Sequence, residues 1–113
     1  MDTTSTTTKG RIMSYASLEM QVIQWAQARG IIPNATTAAQ LIKMVSEVGE
    51  LADAEGKKDM GRIKDGVGDV VVCLINYCAL HDIDLVDCLG LAYNEIKDRK
   101  GRLMPDGTFV KDS

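Results

Sequence analysis

Aromatic residues, prolines and histidines are scarce in this sequence. Phe, Trp and Tyr make up 4% of the 113 residues, and there are two prolines and one histidine. Because β-sandwich cores depend on aromatic and β-branched side chains, this composition favours packed helices. The single histidine, His81, lies beside Asp82 at a predicted helix end and is interpreted as structural. A metal or nucleophile site built on histidine is therefore excluded.

Long apolar runs and an excess of positive charge are also missing. No run approaches the roughly 18 apolar residues of a membrane span. The Thr-rich start, MDTTSTTTKGR, has no apolar stretch of the kind found in secretion signals. A net charge of −3 gives no attraction to nucleic-acid polymers. We expect a cytoplasmic protein, with no membrane or nucleic-acid polymer as partner and a flexible leader over residues 1–13.

The three cysteines are an odd number and lie inside apolar periodic segments. Cysteine in such a place usually behaves as a small buried hydrophobe. The sequence therefore predicts free thiols in a reducing compartment at Cys73, Cys78 and Cys88.

Apolar residues recur at helical spacing in four segments, which predicts an all-α fold. A four-helix bundle is expected over residues 14–102, and the turn sequence at residues 104–108 predicts a short hairpin within the tail 103–113. The helices are expected to run from Ser14 or Ser17 to Arg29, from a capping box at Thr37–Gln40 to the break at Gly56, from Met60 to His81, and from a cap at Asp84 through a basic last turn (Lys97, Arg99, Lys100) to a stop at Gly101.

The third predicted helix is apolar on nearly every side, which places it at the centre of the fold or at an interface. It also contains Gly61, Gly66 and Gly68, each costing about 1 kcal/mol relative to Ala in a helix interior. Close approach of another backbone would explain these glycines. Because the chain is short for a self-sufficient cleft, we expect a homodimer or a homotetramer built as a dimer of dimers.

Two acidic pairs at helical spacing lie on neighbouring segments: Glu47 with Glu50, and Asp65 with Asp69. Carboxylates three or four residues apart share a helix face and repel each other unless a cation lies between them. The alternative is a solvated face for the glutamates and a helix first turn for Asp65. Asp69 borders the most apolar run, where an unpaired carboxylate is costly. The pattern therefore indicates a site for a hard divalent ion such as Mg²⁺.

The order of these motifs resembles the MazG-like nucleoside triphosphate pyrophosphohydrolases, an all-α family with the patterns E-E-x-x-E and E-x-x-D on successive helices. The resemblance extends from Ala38 to about Lys100, and the terminal hairpin is similar to that of viral (phage) members. Glu47 and Glu50 match the last two acids of the first motif, and Asp69 matches the Asp of the second. Ser46 and Gly66 replace the first Glu of each motif, and Asp65 is the candidate substitute at the second.

The resemblance implies Mg²⁺-dependent cleavage of a nucleoside triphosphate between its α and β phosphates, with Mn²⁺ as the other usable ion. It implies metal ligands at Glu47, Glu50, Asp69 and Asp65, with Glu47 as the base that deprotonates water. Implied substrate-binding residues are Lys43, Asn94, Lys97, Lys100 and Trp25.

Each of the substrate-binding assignments has a structural alternative. The lysines at 97 and 100 suit a helix C-terminus, Asn94 suits an exposed helix face, and the helical spacing of Trp25 suits the core. Alternative functions are phosphoribosyl-ATP or dUTP hydrolysis, or a non-catalytic helical oligomerisation or adaptor module.

Overall fold

A computed structural model describes residues 13–112, which form five helices and one hairpin. All but Met13 of the predicted leader lies outside the described residues. The all-α architecture with its C-terminal hairpin is as predicted, and α2 is an added short segment at the expected Pro33 turn. The helices are α1 (Tyr15–Ala28), α2 (Ile31–Asn34), α3 (Thr37–Gly56), α4 (Met60–Leu80) and α5 (Leu85–Ile96), and the antiparallel strands are β1 (Gly101–Leu103) and β2 (Phe109–Lys111).

Side-chain caps fix where the four longer helices begin. The hydroxyl of Ser14 accepts a hydrogen bond from the backbone N–H of Ser17 at 3.1 Å, and the Asp59 and Asp84 carboxylates cap α4 and α5 in the same way. The capping box predicted at Thr37 is wrong by one residue. Thr36 adopts the extended backbone conformation, and its hydroxyl accepts a hydrogen bond from the N–H of Ala39 at 3.0 Å. Thr36 is therefore the N-cap of α3.

The predicted end of the last helix is also wrong. α5 ends at Ile96 with Lys97 as its C-cap, so Arg99 and Lys100 follow the helix rather than forming its last turn. Gly101 belongs to β1 instead of stopping a helix. A Cβ on Gly101 would lie 2.7 Å from the Cα of Lys111, so the hairpin requires glycine at this position.

The described residues fall into two compact units, one ending at Ile83 and the other beginning at Asp84. The predicted boundary between residues 102 and 103 stays a prediction. In the first unit α4 contacts α1, α2 and α3, which confirms its expected central position. Its buried residues are Gly66, Cys73, Ile75, Asn76 and Cys78.

The glycines of α4 differ in their surroundings. A Cβ on Gly66 would lie 3.1 Å from Cδ1 of Leu51, so α3 and α4 approach each other closely there, as predicted. The prediction is wrong for Gly68, where a Cβ would meet nothing within 4 Å, and Gly61 lies near only its own helix cap, Asp59. One glycine out of three therefore serves helix packing.

The cysteines are free thiols, as predicted: Cys73 and Cys78 are buried and Cys88 is half-buried. The ring of His81 lies edge-on to that of Tyr77, with centroids 4.7 Å apart. Over residues 13–112, no helix combines the length and the hydropathy needed to cross a bilayer.

Candidate active site

Three of the predicted acids line one small cavity formed by α3 and α4. Glu50 comes from α3, while Asp65 and Asp69 lie one turn apart on α4. This cavity of about 100 Å³, called the acidic cavity below, is lined by Glu50, Arg62, Asp65, Gly66 and Asp69. The structure thus brings Asp65 to the cavity that Gly66 also lines, as expected of a substitute for an acid at position 66.

Glu47 is the most enclosed of the predicted acids. It is 7% exposed, and its Oε2 lies 3.0 Å from Nζ of Lys43, one turn earlier on α3. Because a buried carboxylate without a partner is costly, Lys43 supplies the compensating charge. This hydrogen bond and the charge of Glu47 raise the pKa of Lys43. The Lys43 side chain is itself 60% exposed, so the cation of this pair faces solvent while the carboxylate is enclosed.

A polar stripe continues from the acidic cavity along α4. Asp69, Cys73 and Asn76 share one helix face, because they are four and three residues apart. Burial raises the pKa of the Cys73 thiol, and the Glu47 carboxylate raises it further. Asn76 is 3% exposed, and its Oδ1 accepts no hydrogen bond from any residue between 13 and 112. This oxygen can accept a donor that the described residues do not supply.

A second cavity is formed by α1 and α4. This cavity of about 370 Å³, called the apolar cavity below, is lined by Leu18, Gln21, Val22, Trp25, Asp69 and Val72. Trp25 is 44% exposed and carries the Arg29 guanidinium 4.8 Å from its ring centroid, so it is not a core residue. Asp69 lines both cavities.

Sequence reasoning missed two of the cavity residues, Gln21 and Arg62. Gln21 lies four residues before Trp25, and Arg62 lies seven before Asp69 on the acidic face of α4. Helical spacing was the available signal in both cases. Arg62 Nη2 lies 3.1 Å from Oδ2 of Asp53 on α3, and Lys57 Nζ lies 3.1 Å from the same oxygen.

The two cations stabilise the ionised form of Asp53. Hydrogen bonds, first from Lys57 and then from Arg62, lower the pKa of the Asp53 carboxyl group. Asp53 therefore stays ionised and links Arg62, at the start of α4, to the end of α3.

The other predicted substrate-binding residues belong to the second unit. Asn94 lies on α5, Lys97 caps it and Lys100 precedes β1, and all three are exposed. Their roles stay predictions. Within this unit an open cavity of about 540 Å³ is lined by equal numbers of acidic and basic side chains: Glu95, Asp98, Arg99, Lys100, Lys111 and Asp112.

The donor chemistry of the acidic cavity fits a hard divalent cation, since three carboxylates from two helices line it. The neighbouring Glu47 pairs with the Lys43 ammonium group, which occupies a place where a metal cation could bind. Within residues 13–112, however, no three His, Cys, Asp or Glu side chains lie close enough together to hold a metal as they stand. Exposed carboxylates change rotamer readily, so the cavity acids would have to turn inward to close around an ion.

Comparison with known proteins finds similarity to this chain both in sequence and in structure. No protein-family model matches the chain. An uncharacterized 18.2 kDa protein from the rep-hol intergenic region of Haemophilus phage HP1 (strain HP1c1) is 35% identical over 63 residues. The match covers 56% of this chain and 39% of the phage protein, so the chain spans well under half of that relative's length.

One structural neighbour is the MazG-like pyrophosphohydrolase of cyanophage S-2L, solved with dGDP and three catalytic Mn²⁺ ions per active site. It superposes with a TM-score of 0.68 over 89% of this chain and 95% of that chain, at 17% sequence identity. The likeness confirms the predicted fold class: this chain has the all-α fold of a MazG-like pyrophosphohydrolase.

Proposed function

We propose that this protein is a divalent-metal-dependent pyrophosphohydrolase that cleaves (d)NTP between the α and β phosphates to give (d)NMP and pyrophosphate. The observation that carries the proposal is that Asp69 lines both the acidic and the apolar cavity. The acidic cavity suits metal-bound phosphates, and the apolar cavity suits a nucleobase against Trp25. The fold shared with the cyanophage enzyme supports the same function.

In this proposal Glu50, Asp65 and Asp69 hold Mg²⁺ or Mn²⁺, together with Glu47. A bound divalent ion would neutralise phosphate oxygens and lower the pKa of an attacking water. Glu47 is the proposed base and takes the proton of that water on its carboxylate once Lys43 has moved away. The water oxygen bonds to the α phosphorus as the bond from that phosphorus to the oxygen bridging the α and β phosphates breaks. The bridging oxygen leaves with pyrophosphate.

Substrate binding in the first unit is proposed to use Trp25 and Lys43. Trp25 stacks on the base, since it is exposed at the wall of the apolar cavity. Lys43 is free to bind a phosphate oxygen once it leaves Glu47. For Asn94, Lys97 and Lys100 of the second unit, binding of sugar and phosphates as a neutral donor and two cations rests on the family resemblance alone.

We also propose that the chain is a homodimer or a homotetramer. α3 exposes a stripe of large apolar side chains at helical spacing, namely Leu41, Ile42, Val45 and Val48. A stripe of this kind favours burial against a second copy. A stable, active monomer in sedimentation analysis would overturn this part of the proposal. The free cysteines support a reducing compartment, and we propose the cytoplasm.

The deciding experiment is pyrophosphate release from a panel of NTPs and dNTPs with Mg²⁺, with Mn²⁺ and with EDTA. Glu50→Gln and Asp69→Asn are expected to abolish release, because each removes a cavity carboxylate. Glu55→Gln is the matched control, since Glu55 is an exposed acid of α3 paired with Lys58. If the wild-type protein is inactive with every nucleotide and metal, the proposed enzymatic function is refuted.

Two alternatives are decided by adding phosphoribosyl-ATP to the panel and by measuring divalent-ion and partner binding. A preference for dUTP or phosphoribosyl-ATP would assign the chain to those related activities. The replacements at Ser46 and Gly66 favour a non-catalytic adaptor as the second candidate. In that case the protein would bind no divalent ion, and Glu50→Gln would leave partner binding unchanged.

A further inference from the structure

The acidic cavity has one cation in its wall. Arg62 lines it together with Glu50, Asp65 and Asp69. A cavity with three carboxylates repels a triphosphate by itself, but divalent ions bound there would reverse the sign of its charge. Phosphate oxygens drawn to those ions would then come within reach of a guanidinium in the same wall.

Arg62 is held in place from α3. Its Nη2 lies 3.1 Å from Oδ2 of Asp53, an oxygen that Lys57 already pairs with at the same distance. Ion pairs as exposed as these contribute little to folding stability. Asp53 thus has a cation of its own helix without Arg62, and the second pair serves chiefly to fix the position of the guanidinium.

The guanidinium retains hydrogen-bonding capacity beyond this pair. It carries five N–H donors in a rigid planar fork, and the bond to Asp53 engages one N–H of Nη2. That fork matches the spacing of two phosphate oxygens, which a lysine ammonium does not. Arg62 can therefore bind Asp53 and a phosphate at the same time.

We infer that Arg62 binds the phosphate chain of the substrate at the wall of the acidic cavity, with Asp53 as the positioning residue that orients it. The inference rests on the proposed nucleotide function and extends it to two residues outside the acidic motifs. It assigns a phosphate-binding role to a cation that lies on the same helix face as the metal-binding carboxylates.

The chain offers a matched control for this role. Arg62 and Lys57 both pair with Asp53, but only Arg62 is among the residues that line the acidic cavity. Arg62→Gln is expected to lower kcat/KM for the preferred triphosphate on the order of 10²-fold, as the loss of a charged transition-state donor does. Lys57→Gln is expected to leave it unchanged. Arg62→Lys retains the charge without the planar fork of donors, so its kcat/KM is expected to lie between those of wild type and Arg62→Gln.

A binding measurement separates this role from a structural one. Calorimetric titration with inorganic pyrophosphate in the presence of Mg²⁺ should show affinity lowered on the order of 10-fold in Arg62→Gln. Lys57→Gln should bind pyrophosphate like wild type. Asp53→Asn keeps Arg62 but loses its anchor, so its affinity should fall by less than that of Arg62→Gln. Thermal melting of all variants checks that they are folded, and Arg62→Lys and Asp53→Asn carry the test if Arg62→Gln is not.

The outcomes distinguish the two levels of the argument. If wild type hydrolyses a nucleotide and Arg62→Gln matches Lys57→Gln in kcat/KM and pyrophosphate affinity, the role of Arg62 is refuted and the proposed function stands. If wild type hydrolyses no nucleotide, the proposed function fails. The pyrophosphate titration then decides Arg62 alone: selective loss of affinity in Arg62→Gln supports it, and equal or absent binding in all variants refutes it.

Discussion

Trp25 of α1 and Asp69 of α4 line the same cavity, although 44 positions separate them in the sequence. Asp69 also lines the acidic cavity, so one residue borders both the cavity of the aromatic ring and the cavity of the carboxylates. In the proposed function the base would occupy the first cavity and the phosphates the second.

Trp25 is the only tryptophan of the chain, so its fluorescence reports on the apolar cavity. We expect nucleotide binding to quench this fluorescence, because a stacked base contacts the indole directly. Trp25→Ala should raise KM on the order of 10-fold, the size of a lost stacking contact. Trp25→Phe should raise it less. Met20→Ala, an exposed change on the same helix, is the control, and equal effects of Met20→Ala and Trp25→Ala would refute stacking.

Replacing two glycines of α4 by alanine should change the free energy of unfolding differently at the two positions. Gly68→Ala meets nothing within 4 Å and should raise the free energy of unfolding by up to about 1 kcal/mol through helix propensity. Gly66→Ala gains the same propensity but places its Cβ 3.1 Å from Cδ1 of Leu51. It should therefore be the less stable variant in urea denaturation. Equal stabilisation by both would show that α3 and α4 can separate at no cost.

The start of α5 was predictable because Asp84 is the expected cap, whereas at α1 the sequence left Ser14 and Ser17 open and the structure selects Ser14. At α3 two adjacent threonines compete, and only the backbone conformation of Thr36 decides between them. The end of α5 was missed because a glycine after basic residues is typical of a helix stop. At Gly101 the pairing with Lys111 of β2, ten residues later, places the glycine in a strand instead.

The acids were found from spacing, because carboxylates on one helix face repel each other. The position of Arg62 at the acidic cavity was not predicted, since a cation between acids is usually part of a solvated face. Its ion pair with Asp53 joins two helices and cannot be read from the spacing within one helix. The enclosure of Glu47 also depends on tertiary packing, although its pairing with Lys43 follows from the four-residue spacing.

The pair between Lys43 and Glu47 should stabilise the fold up to alkaline pH. Folding raises the pKa of Lys43 above its ordinary value of 10.5. The stabilisation is then fully present below pH 10.5 and is lost as pH rises through the raised value. Lys43→Gln should lower the urea midpoint at pH 8, and the difference from wild type should shrink towards pH 12. Lys64→Gln, an exposed change on α4, should show no such convergence, and a constant Lys43→Gln difference would refute the pair.

The thiols should differ in reactivity in the folded protein. Burial raises the pKa of Cys73, so its thiolate fraction at pH 8 is below that of an ordinary cysteine. Cys88 is half-buried. Alkylation by iodoacetamide at pH 8, followed by mass spectrometry, should modify Cys88 well before Cys73, and urea should remove the difference. Equal native rates would show that α4 opens more readily than its packing indicates.

The contact between Gly66 and Leu51 also limits the order in which substitutions can accumulate in this chain. A side chain at position 66 requires its neighbour on α3 to yield by a few tenths of an ångström. An acid at position 65 lines the same cavity without that demand. An acid introduced at position 66 would therefore require a prior change or a shift at Leu51, whereas Asp65 requires neither.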